Sequence, residues 1–152
     1  MEHDSRLPID IEIVHLSGQE MLKIHIYRDA LRDWCLGLCL LREGLVETFT
    51  VIEQGESGRT IRFHNDSRPG TRARATLSVK ASEVFMTRKN LGHVYYFFLK
   101  YYRDGLAEVD HLDLEAIDAE TGSNEIYVTF NVSESKAPMT PEEAQRRLDD
   151  WS

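Results

Sequence analysis

The arginines of residues 59–89 are the side chains with the clearest capacity for chemistry. This segment holds eight basic residues and two acids, whereas the whole chain has a net charge of −8. Guanidinium groups bind carboxylates and phosphates through paired hydrogen bonds. The segment therefore predicts an anion-binding site for a nucleic acid or another ligand, unless these arginines pair with the protein's own acids. The candidate residues are Arg62, Arg68, Arg72 and Arg74.

A second charged region is acidic and lies toward the end of the chain. From Asp104 onward there are 13 acids and three bases. An acidic surface speeds the docking of a basic partner by electrostatic steering. The alternative is a solvated face that keeps the protein in solution. We predict that this region binds a partner, with one exposed tyrosine from a neighbouring aromatic segment. The predicted partner-binding residues are Asp110, Asp113, Glu115, Asp118 and Tyr96.

Other catalytic and metal-binding arrangements have weaker support. His111 and Asp113 share a strand face that His15 or His25 could join, but solvated side chains on an acidic strand explain them as well. The motifs G-x-x-x-x-G-K, G-x-G-x-x-G and G-x-S-x-G are missing from the sequence. Cys35 and Cys39 lie in an apolar run that is typical of buried, reduced thiols. We therefore predict no catalytic residue, metal or cofactor, and we leave open whether the protein is an enzyme, leaning to no.

The segment "LGHVYYFFLKYYRDG", residues 91–105, concentrates six aromatic residues between Tyr95 and Tyr102. Read as a helix, it carries an apolar stripe, capped by Thr87 or Asn90 and ended by Gly105. Read as a strand, it has high β propensity but lacks alternation. We favour the helix. Core filling is the first explanation of the aromatics, although some of the tyrosines could line a pocket or a subunit interface.

Hydrophobic periodicity predicts the remaining elements. Strict alternation indicates strands at "IDIEIVHL" and "MLKIHIY", and again at "AEVDHLDLEAID" and "EIYVTFNV". Further strands are predicted at "LVETFTVIEQ", "RTIRFHN" and "ATLSVKASEVF", the last with Leu77, Val79 and Ala81 inward. A helical period covers "RDALRDWCLGLCLLREG", with a strand over 35–41 as the competing interpretation. "TPEEAQRRLDDW" predicts a short terminal helix. We find no internal repeat of motif quality.

These elements predict an α+β fold. We expect a mostly antiparallel, twisted sheet of about six or seven strands, with two main helices packed on one face and a short C-terminal helix. Residues 1–134 would form a single domain, and residues 135–152 a linker and the terminal helix. The first ten residues are acidic and polar, no apolar run has the length of a membrane span, and the cysteines suggest a reducing compartment. We therefore expect a cytoplasmic protein.

Absent catalytic motifs and charge asymmetry favour a binding protein over an enzyme. The expected function is that of an inhibitor, an immunity-type protein or a specific chaperone that docks a basic protein through the acidic surface. The alternative is a ligand- or nucleic-acid-binding domain built on residues 59–89. A small enzyme that uses His111 and Asp113 is the third interpretation. A homodimer through the aromatic segment or an unpaired sheet edge is compatible with all three.

Overall fold

A computed structural model describes residues 2–16, 18–53, 57–66, 68, 72–105, 111–122, 124–133 and 141–150. The strands are β1 Glu2–Leu7, β2 Ile9–Leu16, β3 Gln19–Tyr27, β4 Thr48–Glu53, β5 Thr60–Asn65, β6 Arg74–Thr76, β7 Ala81–Met86, β8 His111–Asp118 and β9 Glu125–Ser133. The helices are α1 Leu31–Arg42, α2 Arg88–Asp104 and α3 Pro141–Asp150, and a 3-10 turn, Arg28–Ala30, precedes α1. The sequence left helix and strand as alternatives for the segments of α1 and α2, and both segments are helical.

The predicted fold class is wrong in the number and direction of the strands. Nine strands form one mixed sheet in the order β1-β4-β5-β7-β6-β8-β9-β3-β2. Four neighbouring pairs are antiparallel, and four are parallel: β1 with β4, β5 with β7, β6 with β8 and β3 with β9. Each antiparallel pair joins strands close in sequence, whereas the parallel pairs, apart from β5 with β7, join strands that are distant in the chain.

Two departures from the predicted strands account for the larger count. The polar segment "EHDSRL" forms β1, which pairs with β4 through its backbone although its sequence lacks an apolar alternation. The single strand predicted over "ATLSVKASEVF" is instead the hairpin of β6 and β7, antiparallel to each other. The connection leaves Val79 75% exposed and Ala81 exposed, so the inward orientation predicted for both side chains is wrong.

The two ends of this strand order meet at Pro8. Strands β1 and β2 are the first and last in the sheet, yet only Pro8 separates them in the chain. A buried carboxylate reinforces the junction, because Glu53 at the end of β4 accepts a hydrogen bond from the Ile11 backbone N–H at 2.7 Å. Proline has no N–H to donate and is tolerated where a strand changes partner. The sheet therefore curls until its edges touch at this corner.

The topology contains a repeat that the sequence did not reveal. Strands β2 to β5 with α1 follow the order strand–strand–helix–strand–strand, and strands β6 to β9 with α2 follow it again. The parallel pair of β5 with β7 joins the last strand of the first half to the second strand of the second half, and the pair of β9 with β3 makes the reciprocal contact. Both helices are followed by a glycine with positive φ, 74° at Gly44 and 76° at Gly105. Each half thus pairs its strands with those of the other.

The helices α1 and α2 pack on the concave side of the sheet around Trp34. This side chain is fully buried, and its ring lies 5.4 Å from those of Phe63 and Phe98, centroid to centroid. Gly37 is required one turn later, because a Cβ there would lie 2.2 Å from Cζ of Phe49. The core is therefore built from aromatic rings that both halves of the repeat contribute.

The aromatic segment is divided between the core and the surface. Thr87 and Asn90 form a capping box at the start of α2, and Gly105 ends the helix in the left-handed conformation. Phe98 and Tyr101 are buried, whereas Tyr102 is 53% exposed. Core filling thus explains only part of the segment. Within the described ranges, none of the helices combines the length and the apolarity needed to cross a membrane.

Candidate functional site

Over the residues that the structure describes, α1 and α2 cover the concave side of the sheet, and no helix covers the convex side of β8, β9, β3 and β2. Strand pairing arranges its side chains in three rows across the four strands. We call this surface the acidic face. Its rows are Glu115–Tyr127–Met21–Val14, Asp113–Thr129–Lys23–Glu12 and His111–Asn131–His25–Asp10. Four carboxylates and one lysine give the acidic face a negative charge.

The first row gives the acidic face an apolar strip. Val14, Met21 and Tyr127 are half-buried neighbours on three adjacent strands, which lie about 5 Å apart. Glu115 is exposed at one end of the strip, and Asp113 is exposed in the next row. Tyrosine and methionine are enriched where proteins bind one another, and charged residues are common at the rim. The strip and its carboxylates therefore have the composition of a protein-binding patch.

Carboxylates at this face raise the pKa of two tyrosine hydroxyls at its margins. The carboxylate of Glu125, with burial and the charge of Glu115 as further causes, raises the pKa of Tyr127. At the opposite margin Tyr27 donates a hydrogen bond to Asp10. That bond, together with burial and the charges of Asp10 and Glu53, raises the pKa of Tyr27 to about 12. Ionised carboxylates therefore act on both margins of the face.

A cavity lies at the end of the sheet where the β2–β3 and β8–β9 hairpins end, and His15, Glu20 and Ile126 line it from the side opposite to the acidic face. Its volume is about 330 Å³, and Glu20, Asp118 and Glu125 contribute carboxylates to its wall. His15 lines the same cavity and lies 3.8 Å from the Glu20 carboxylate. In the parts of the chain that the structure describes, no three His, Cys, Asp or Glu side chains are grouped to hold a metal ion. The cavity is instead suited to a cationic side chain.

The structure brings together some of the predicted partner-binding residues and separates others. Asp113 and Glu115 lie on the acidic face, whereas Asp118 lines the cavity at the hairpin ends, on the other side of the sheet. Tyr96 is 57% exposed on α2, on the far side of the sheet, so it is not part of this surface. Asp110 lies outside the described residues. Met21 and Tyr127 were missed because half-buried side chains on a strand resemble core residues in the sequence.

The alternative arginine site is largely paired internally. Arg68 and Arg74 both bind the buried carboxylate of Asp66, at 2.9 and 3.1 Å. Arg62 donates to the Thr50 hydroxyl at 3.3 Å, and Arg72 is exposed. The structure therefore does not gather these four arginines into one open patch.

The aromatic ring nearest to these arginines has no open face on which a base could stack. Phe85 lies on β7 between His64 on β5 and Arg74 on β6. The His64 ring stacks on it at 4.4 Å, and the Arg74 guanidinium carbon lies 4.8 Å from its centroid. His64 also contacts the Glu83 carboxylate at 3.0 Å. Single-stranded nucleic acids bind exposed ring faces, and both faces of Phe85 are occupied.

The Asp66 cluster makes stability depend on acid pH. Hydrogen bonds from Arg68, and from Arg74, hold the pKa of Asp66 at about 2 against the opposing effect of burial, compared with 3.8 ordinarily. A carboxyl whose pKa is lower in the folded state stabilises it above pH 4 and loses that effect between pH 4 and 2. Asp66→Asn should therefore cost about 2 kcal/mol at pH 5 and much less near pH 2, by urea unfolding.

An equal cost at both pH values would contradict this role for the Asp66 carboxylate. Asp4→Asn is the matched control, because Asp4 is an exposed carboxylate on β1. It should change the free energy of unfolding by no more than about 0.5 kcal/mol at either pH.

Nucleophilic catalysis by the cysteines has no geometric support. Both thiols are free, Cys35 is buried and Cys39 is half-buried. Burial, with a smaller effect from Cys39, raises the pKa of Cys35 to about 11. The thiolate is the nucleophilic form, and a thiol with so high a pKa is almost entirely protonated near neutral pH. The pair of His111 and Asp113, 3.8 Å apart, is half exposed on an open strand face and not in a cleft.

The acidic face is therefore the candidate site that the geometry favours. It combines an apolar strip and a carboxylate rim on one side of the sheet. No known protein family matches the chain, and no curated protein matches it in sequence.

Proposed function

We propose that this protein is a non-enzymatic binding protein that docks a basic protein on its acidic face. The observation that carries the proposal is the half-buried strip of Val14, Met21 and Tyr127 beside the exposed carboxylates of Asp113 and Glu115. An apolar strip supplies contact area that holds the complex together. Carboxylates at the rim raise the association rate and select a partner of opposite charge.

A cavity at the end of the sheet, outside the acidic face, would add a second point of recognition for the same partner. A lysine or arginine of the partner would enter between Glu20, Asp118 and Glu125. Charge-assisted hydrogen bonds between a guanidinium group and carboxylates are stronger than neutral ones. Such a complex would suit an inhibitor, an immunity-type protein or a specific chaperone, because each binds one defined partner.

The proposal is tested by charge reversal in two matched double variants. Asp113→Lys with Glu115→Lys changes the acidic face, whereas Asp4→Lys with Asp33→Lys makes the same charge change at exposed positions elsewhere. A partner retained from native lysate by the wild type at low salt should be lost from the first variant and kept by the second. With the purified partner, the association rate should fall at least about tenfold for the first variant alone.

A third variant separates the contribution of apolar contact to binding from that of electrostatic steering. Tyr127→Ala should mainly increase the dissociation rate, because it removes contact area without changing the charge. Equal binding by both double variants would refute the acidic face as the docking site. Retention of nucleic acid in place of a protein would also refute the proposal, and it would favour a binding site at Arg62 and Arg72.

A further inference from the structure

Among the described residues, the outer side of α1 and α2, opposite to the acidic face, is uncovered, and we call the seam between these two helices the groove. The helices are antiparallel, because Arg42 near the end of α1 lies over Tyr96, and Arg28 before α1 donates to the Gly105 carbonyl at the end of α2. Leu36 is 50% exposed and Tyr102 is 53% exposed. The helical period places both side chains beside this groove, which therefore presents apolar surface to solvent.

The basic crest of α2 borders this groove. Lys89, His93, Tyr96, Lys100 and Arg103 recur at intervals of four and three residues, and all of them are exposed. This spacing places them on one side of a helix. The crest extends over about 21 Å of the helix axis. Arg103 is paired with the neighbouring Asp104 at 3.0 Å, so Lys89 and Lys100 supply the positive charge of this margin, within a protein whose net charge is −8.

The helix α3 has the complementary properties. Leu148 is 64% exposed, and Ala144 lies four residues before it in the sequence. Glu142 and Asp149, seven residues apart, are exposed acids on one side of α3, with the exposed base Arg146 between them. A helix of ten residues is marginal on its own in water, so α3 requires a surface on which to pack.

We propose that α3 of one copy docks in the α1–α2 groove of a second copy, and that the exchange is reciprocal. Leu148 would pack between Leu36 and Tyr102 of the other chain, with Glu142 and Asp149 facing its basic crest. In this chain the groove side chains and Leu148 are all exposed, so α3 is not folded onto its own groove. Seven residues separate β9 from α3 and reach at most about 25 Å. A twofold exchange covers both grooves and leaves both acidic faces open.

Isotope-mixed cross-linking tests which chain provides α3. Benzoylphenylalanine at position 148 keeps the side chain apolar, and the protein is prepared in ¹⁴N and ¹⁵N forms, mixed in equal amounts and irradiated. Peptides of α1 or α2 cross-linked to position 148 should include mixed-isotope pairs, at about half of the total. Cross-links within one isotope alone would show α3 on its own groove and would overturn the proposal, as would cross-links that avoid α1 and α2.

Sedimentation measurements give the second readout. The wild type should be a dimer, and Leu36→Asp or Leu148→Asp should raise its dissociation constant at least tenfold. Val79→Asp is the control, because Val79 is 75% exposed on the β6–β7 connection and should leave the dimer unchanged. A monomeric wild type at 100 μM, or dimers that resist both groove and helix variants, would overturn the proposal.

Discussion

Trp34→Ala is expected to lower the free energy of unfolding by about 3–5 kcal/mol, the largest effect of any substitution considered for this chain. Four phenylalanine rings surround the indole at centroid distances of 5.4 to 6.1 Å, one from α2 and three from the sheet. Alanine would leave a cavity that rigid rings from four elements cannot close. Urea denaturation followed by circular dichroism measures the loss.

Two further substitutions keep this prediction testable if the alanine variant fails to fold. The indole N–H of Trp34 is buried without an acceptor among the described residues, so Trp34→Phe loses volume but also removes an unsatisfied donor. It should therefore cost clearly less than alanine. Arg32→Ala, at an exposed position of the same helix, should cost no more than about 0.5 kcal/mol. A phenylalanine variant as unstable as the alanine variant would contradict this account of the site.

Glu53→Ala is expected to cost about 3 kcal/mol, because it removes a buried acceptor that three partners share. The carboxylate is 6% exposed and accepts hydrogen bonds from the Ile11 backbone N–H, the Ser57 hydroxyl and the Arg59 guanidinium. Its loss leaves the Ile11 donor unpaired at the corner where the two sheet edges meet. Hydrogen exchange at Ile11 should accelerate by more than the global destabilisation accounts for.

The isosteric variant separates shape from charge at this position. Glu53→Gln keeps an oxygen for the Ile11 N–H but gives up the charge that Arg59 pairs with, so it should cost less than half as much as alanine. The Glu12 carboxylate lies 3.9 Å from the His25 ring and is 58% exposed, so Glu12→Ala should have little effect on stability. Equal losses for Glu53→Ala and Glu12→Ala would show that the junction at Pro8 does not depend on the carboxylate.

Local signals in the sequence predicted the local elements well. Alternation identified β2 with β3 and β8 with β9, and Thr87, Asn90 and Gly105 marked the ends of α2. The sheet as a whole was not predictable in this way. Three of the four parallel pairs join strands with intervening helices, and side-chain periodicity holds no information about which strands become neighbours. The strand β1 was missed for a related reason, because its polar side chains show no apolar period.

The candidate site was predictable in part. An acidic alternation on one strand led to Asp113 and Glu115, since residues two apart share a face. The residues that β9, β3 and β2 add to the site depend on which strands pair across the sheet. Because the sequence does not show this pairing, Met21 and Tyr127 were not predicted. The arginine hypothesis lost most of its support for the same reason. Arg68 and Arg74 lie near an acid in the sequence, but only the fold shows that they share the Asp66 carboxylate.

The interlocked strand order has a consequence for how the protein is made. The hairpin of β2 and β3 is synthesised well before β9. Nevertheless β3 pairs with β9, where Ile126 lies opposite Glu20. More than a hundred residues must therefore leave the ribosome before that edge is covered. Folds with such distant strand pairings form slowly, and an apolar strand edge that is still unpaired promotes aggregation. Production of this chain should accordingly benefit from slow translation at low temperature and from chaperones that shield nascent strands.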